Sequence, residues 1–486
     1  MKLTEFFKRR RVAYTGTTAT ITALVLALFY LVNLVFLGLA NHFSWYFYTG
    51  EEYDLSISDA AAELFADIDT ADGGVEIIFC DVEQNIAGHK QLDFVYKTAT
   101  AMQEKYPELI SISYVNLWLE PYRVADYHTN ENGTENEITS TSVIIDYQDK
   151  FIVNAASSFY VLDSESYVIS YNGEEELVSN ILWVTAREHP VAYFTANHGE
   201  EIPTALYRSL VRAGYMVERI DLATVASVPE DAGLLVISSP LYDFQRSSAT
   251  STYVSELDKL ESYLASGGRM LVTLDPHRVA GIPRLCGFLS ENGIIPESAI
   301  ITDGQNALPG SNGYSLITSF GEGVLAARLA AHATQDGRRT VLSAALPLTA
   351  SVTEKATAES FLFSGDSATV QALDGQTISN GRTALAAVAH RKEGGGQLLV
   401  LGSAYLTDVN LMYGKGYGNQ QLVYAILSEM GADRVPLGIS SVAVDRSAIE
   451  DLTLGEADLY TFISAVIVPL VLLTAGLVIC RKRKNH

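Results

Sequence analysis

An apolar run that ends abruptly in a polar turn constrains this chain more than any other feature. Val191-Ala192-Tyr193-Phe194 has the length and character of a buried strand, and a turn holding Asn197, His198, Gly199, Glu200 and Glu201 follows at once. Glu200 to Ala213 then reads as a helix, with Pro203 in its first turn and Gly214 just past its end. A strand that feeds a helix through a short turn is the building unit of a parallel sheet. The rhythm recurs: residues 233–240 supply a second strand, Tyr253 to Ser266 an amphipathic helix closed by Gly267-Gly268, and Arg269 to Asp275 a third strand. The expected fold class is α/β, with a doubly wound sheet whose ligand crevice lies at the carboxyl ends of the strands, where His198 and Asp275 both fall.

The same alternation upstream predicts a smaller α/β domain over residues 55–185. Ser58 and Asp59 start a helix running to Ile68, and strands at Val75 to Cys80 and Leu109 to Leu117 flank a helix from Lys90 to Tyr106. Asp126 to Ser140 reads as an exposed polar loop, and Gln148-Asp149 joins strands at Ser142 to Tyr147 and Lys150 to Asn154 as a hairpin. A helix from Glu174 to Thr185 runs into the organising strand without a flexible linker, which favours one semi-rigid body. The larger domain is expected over 186–435. In it, residues 280–292 form a helix, Ile294 to Thr302 a strand and 303–312 a loop, while 313–380 is too weakly periodic to order. Strands at Thr383 to His390 and Gln397 to Leu401 make a hairpin, and a helix from Asn419 to Met430 is closed by Gly431.

Charge separates the ends from this body. Residues 1–11 hold five of the 33 Lys and Arg, the last six residues hold four more, and most of the 57 acidic residues lie between. So acidic a body repels nucleic acid, whose binders need a basic footprint. Each basic end abuts a charge-free apolar run, Ala19 to Ala40 and Phe462 to Cys480, and a bilayer needs about 20 such residues. Transmembrane helices are therefore expected at 19–40 and 459–480. The positive-inside rule puts residues 1–18 and 481–486 in the cytoplasm, the body outside the plasma membrane, and 436–458 in a juxtamembrane segment. Gly38-Leu39-Ala40 resembles a signal-peptide cleavage site, but the apolar run exceeds the 7–15 residues of a signal h-region, so an uncleaved anchor is expected.

Candidate chemistry concentrates in the organising turn. A His beside two carboxylates at the mouth of a crevice is the material of a metal or acid–base site. Carboxylates in a first helical turn also suit the helix dipole, and no second His lies at helical spacing, so no metal and no cofactor is expected. The same glutamates disfavour a phosphate at that helix end. Ser238-Ser239-Pro240 is not a nucleophile elbow, Asp275-Pro276-His277 reads as a strand-ending turn, and no P-loop occurs. Cys80, Cys286 and Cys480 show no zinc spacing.

With these pieces in order, the chain resembles the auxiliary, extracytoplasmic component of the gliding-motility-type ABC transporter family (GldG-like). The matching stretches are Asn197 to Glu201, similar to that family's GHGE, the helix-to-strand passage Leu257 to Pro276, and Gln397 to Leu427 with its turn to Asp408 and its Asn419. Asn197 stands where the family has a glycine, and Leu119-Glu120-Pro121 replaces an expected Asp-Pro pair. The resemblance implies a non-catalytic partner of an ABC permease and ATPase. It also implies a middle domain similar to flavodoxin-like and class I glutamine-amidotransferase-like folds without their nucleophile. Asn197, His198, Gly199, Glu200, Asp275, Asp408 and Asn419 are the candidate ligand- or partner-binding residues. Two alternatives stay open: an anchored carbohydrate or cell-wall binding module, for which 26 Tyr could line a cleft, and a hydrolase using His198, Glu200 and Asp275.

Overall fold

The computed structural model describes residues 55–443 apart from 67, 69–72, 90, 130–134, 163–166 and 247–253, together with the isolated positions 463 and 467. But for those two positions, the expected spans 19–40 and 459–480 and both basic ends lie outside the described residues. Among the described residues no helix is long and apolar enough to cross a membrane.

The protein is α/β, built on an eight-stranded mixed sheet. Five strands run parallel in the order Gln397–Leu401, Arg269–Thr273, Ala232–Ser238, Val191–Thr195 and Met216–Ile220. Antiparallel strands Ala384–Arg391, Ala356–Phe363 and Ser319–Phe320 extend the first of these edges. Period-two alternation explains why the central strands are apolar throughout. Ala192, Phe194, Leu234, Val236 and Leu271 face a core closed by the helices Thr204–Arg212, Val324–Ala333 and Asn419–Glu429. Val191, Tyr193, Leu235, Ile237, Met270 and Val272 face the opposite core, under the helices Glu256–Ala265 and Pro283–Glu291.

The smaller lobe carries a four-stranded sheet in the order Ile110–Tyr114, Val75–Phe79, Ser142–Tyr147, Lys150–Ala155, its first pair parallel. Helices Leu92–Lys105 and Gly173–Val184 bury their apolar faces in its core. The described residues from Leu55 to Ala443 form one compact unit.

Four expectations need correction. The helix after the organising turn starts at Thr204, not Glu200, because Pro203 occupies the N-cap in an extended conformation and Glu200 is drawn into the turn. The strand expected over 294–302 is two, Ile294–Pro296 and Ile300–Asp303, which pair with different partners. Pro121–His128, partly inside the expected loop, is a 3-10 helix. The start of the segment read as juxtamembrane belongs to the body: Val442–Ala443 pairs with Val168–Tyr171, and Ile439 is buried in the small lobe's core. The stretch 313–380 resolves into short strands, most of two to four residues, around the helix Val324–Ala333.

Candidate functional site

The polypeptide leaves the strand Val191–Thr195 through two left-handed residues that flank His198, Asn197 (φ 74°) and Gly199 (φ 76°). Glycine and asparagine adopt this region at least cost, which accounts for an Asn where the resembled motif has Gly. A Cβ on Gly199 would lie 2.8 Å from the Leu241 Cβ, so close approach of two loops adds to the backbone demand.

Between these two residues His198 turns inward, 5 % exposed, and its ring stacks on Phe244 with centroids 3.8 Å apart. Both ring nitrogens are engaged. Nδ1 lies 3.2 Å from Glu200 Oε1, and Nε2 lies 3.1 Å from Glu256 Oε1. The two carboxylates are themselves held. Glu200 accepts from the Thr195 hydroxyl and the His198 backbone N–H, both at 2.7 Å, and Glu256 accepts from the Gln245 N–H at 2.7 Å. The His198 carbonyl accepts from the backbone N–H groups of Leu241 and Tyr242 at 2.8 Å each. One residue thus fastens the turn, the 239–245 loop and the helix Glu256–Ala265 together.

Burial alone lowers the His198 pKa, but its hydrogen bonds to Glu200 and Glu256, and their charges, outweigh that and hold the imidazolium at about 9. Burial raises both carboxylates, and the His198 hydrogen bond, joined by Thr195 and backbone N–H on Glu200 and by the Gln245 N–H on Glu256, more than reverses it. At neutral pH the group is a cation between two anions. A doubly protonated imidazole has no lone pair with which to accept a proton or bind a metal.

The remaining sequence candidates do not join this cluster. The Asp275 carboxylate accepts from the His277 N–H at 2.8 Å and closes the turn after its strand. Asp408 caps the helix Val409–Tyr413 through the N–H of Asn410, at 2.9 Å. Asn419 is fully buried, bonded to the N–H and carbonyl of Val341 and to the Leu406 carbonyl. Glu201 is exposed and Ser238 is buried. Ser239 follows with φ 45° and a buried hydroxyl that has no hydrogen-bond partner among the described residues.

Two participants escaped sequence reading. Glu256 opens a helix 58 residues beyond His198, where the serine cap Ser255 and the acidic first turn were the visible signals. The second is a whole cluster. Arg212 meets Glu175 at 3.1 Å and Glu176 at 2.6 Å, and also donates to the Tyr413 hydroxyl. Glu175, fully buried, accepts further bonds from Gln420 and Tyr424. It ties the helix Gly173–Val184 of the small lobe to three helices of the large one.

No family model and no curated protein matches the chain. Solved structures similar to it include the mmIFT52 N-terminal domain, at 17% identity and TM-score 0.40, covering 49% of this chain and 96% of that one. Another is the cytoplasmic protein STM3548 from Salmonella typhimurium, at 12% identity and TM-score 0.29, covering 49% and 98%. A third is the exo-beta-1,4-mannosidase Op5Man5 from Opitutaceae bacterium strain TAV5, at 13% identity and TM-score 0.23, covering 67% and 46%. Likeness at this level says nothing about activity.

Proposed function

We propose that this chain is a non-catalytic, membrane-anchored auxiliary subunit of an ABC transport system of the gliding-motility type. Its apolar stretches 19–40 and 459–480 serve as anchors beside the permease, both termini are cytoplasmic, and the α/β body stands outside the plasma membrane. On this reading the large sheet is a doubly wound, glutamine-amidotransferase-like domain without a nucleophile.

The observation that carries the proposal is the clamp on His198. The turn that resembles the family motif spends its His and both participating carboxylates on one another, which suits a scaffold and disfavours the hydrolase alternative, because Asp275 is turned to its own loop. Two features fit the same reading. The first and last described segments of the body converge, since a Cβ on Gly438 would lie 3.1 Å from that of Ala60. A loop of the small lobe exposes Trp118, Leu119 and Tyr122 at 92%, 77% and 71%, an apolar group of the kind that marks protein contacts.

Affinity purification of the full chain from its native membranes tests the proposal. Stoichiometric recovery of an ABC ATPase and a permease is expected, and recovery of the chain without either would refute it.

A further inference from the structure

A cavity of about 490 Å³ opens where the Tyr147–Lys150 turn of the small lobe faces residues 184–188, which join the two lobes, and Arg434. Three cations, Lys150, Arg187 and Arg434, line it. Elsewhere in this acidic chain several basic side chains find carboxylates, Arg246 and Lys355 with Glu291, Arg328 with Glu429, and Arg391 with Glu261, while others, such as Lys259 and Arg278, donate to backbone carbonyls. Among the described residues none of the three cavity cations forms an ion pair, although the whole chain carries a formal charge of −24.

Two of these charges are fixed in place. The Lys150 ammonium donates to the Ala186 carbonyl at 2.6 Å, and one Arg434 nitrogen donates to the Leu182 carbonyl at 2.9 Å. These bonds satisfy donors without neutralising charge, so the cations are positioned before any anion arrives. Arg187 is exposed; its carbonyl accepts from the Lys150 ammonium at 3.5 Å, and among the described residues its guanidinium has no hydrogen-bond partner and is left to meet what enters. The volume falls in the range of small-molecule sites and far exceeds a bare phosphate. Asp149 and Glu188 also line the wall, and carboxylates there repel an anion but accept hydrogen bonds from hydroxyls.

We propose that this cavity binds a hydroxyl-bearing phosphate ester, its phosphate against Lys150, Arg187 and Arg434 and its hydroxyls toward Asp149 and Glu188. Such a group occurs free in solution and as the head group of an anionic lipid. The proposal stands apart from the transport reading and needs no permease.

The test titrates full-length protein in neutral detergent by calorimetry. The probes are glycerol 3-phosphate, dihexanoyl phosphatidylglycerol and, as a head-group control, dihexanoyl phosphatidylcholine. At least one of the first two binds, binding weakens as salt rises, and the phosphatidylcholine does not compete. Arg187→Gln weakens binding at least tenfold with an unchanged melting temperature, because the side chain holds nothing in the fold, and Arg187→Lys restores part of it. Binding of glycerol 3-phosphate identifies a soluble ligand, and binding of the phosphatidylglycerol alone identifies a lipid head group. Absence of binding by both probes at millimolar concentration, or equal binding by wild type and Arg187→Gln, overturns the site.

Discussion

Among the described residues, two largely buried clusters each hold one cation and two carboxylates, and they differ in what they join. The His198 cluster closes a single turn against neighbouring loops of the same sheet edge, and its carboxylates receive extra donors from Thr195 and Gln245. There the hydrogen bonds overcome burial and both glutamates are driven down. The Arg212 cluster joins two lobes, with Arg212 and Glu175 buried and Glu176 partly exposed. Burial there raises Glu175 against the pull of Arg212, while Arg212, whose pKa burial lowers, is held well above its ordinary value by Glu175 and Glu176. The difference teaches that similar charges set a local shape in one place and a seal between two lobes in the other. Neither retains a free group for chemistry.

The comparison breaks most visibly at the seal. Arg212→Met strands Glu175 without its cation, and removing one partner of a buried pair costs about 3–5 kcal/mol. Denaturant unfolding should show that loss, with proteolysis near residues 185–190 as the lobes separate. His198→Ala should cost about 3 kcal/mol, since two buried glutamates lose their shared cation. Its damage should stay in the large lobe, visible as hydrogen exchange in residues 196–203 and 239–245. Intact melting in that variant would show that the clamp does not hold the turn.

Solution pH sharpens the contrast further. The folded pKa of His198, about 9, lies above its ordinary 6.5, so its contribution is complete below about 6.5 and is lost as pH rises through 9. That shift corresponds to about 3 kcal/mol at most. Glu200 and Glu256 have depressed pKa values, so their contribution is present above about 4.5 and is lost as pH falls. Wild-type stability should therefore fall between pH 7 and 10 by more than that of His198→Ala, as urea unfolding at each pH reads. Gly199→Val should cost about 1–3 kcal/mol, because valine is strained at φ 76° and its Cβ meets Leu241. Glu201→Gln, at an exposed carboxylate one residue from the clamp, should change stability by less than about 0.5 kcal/mol. Thermal melts of the two variants side by side check both.

Much of the frame was legible because single residues carry strong local constraints. Continuous apolar runs located the strands Val191–Thr195, Arg269–Thr273 and Gln397–Leu401, and the glycines at 214, 267 and 431 adopt the positive φ that ends a helix. The turn at 197–200 was singled out, but its meaning was not visible. Glu256 is distant in sequence, and a carboxylate opening a helix has a sufficient local explanation in the dipole. The same holds for Glu175 in a triply acidic first turn and for Arg212 in a last turn. Local electrostatics hid long-range pairs. Residues 313–380 escaped for another reason: most of their strands have two to four residues, too short to display a period, and in the longer Ala356–Phe363 register shifts interrupt the alternation.

The most direct test of the central claim, that the organising turn is locked around a cationic histidine and holds no reactive one, is the titration of His198. Nitrogen-15 histidine spectra of the full chain, assigned by loss of one signal in His198→Ala, report protonation at both ring nitrogens. A doubly protonated ring at pH 7 that titrates at about 9 is the expected result. A neutral ring at pH 7, with a pKa at or below the ordinary 6.5, would contradict it and return His198 to the list of candidate bases and metal ligands.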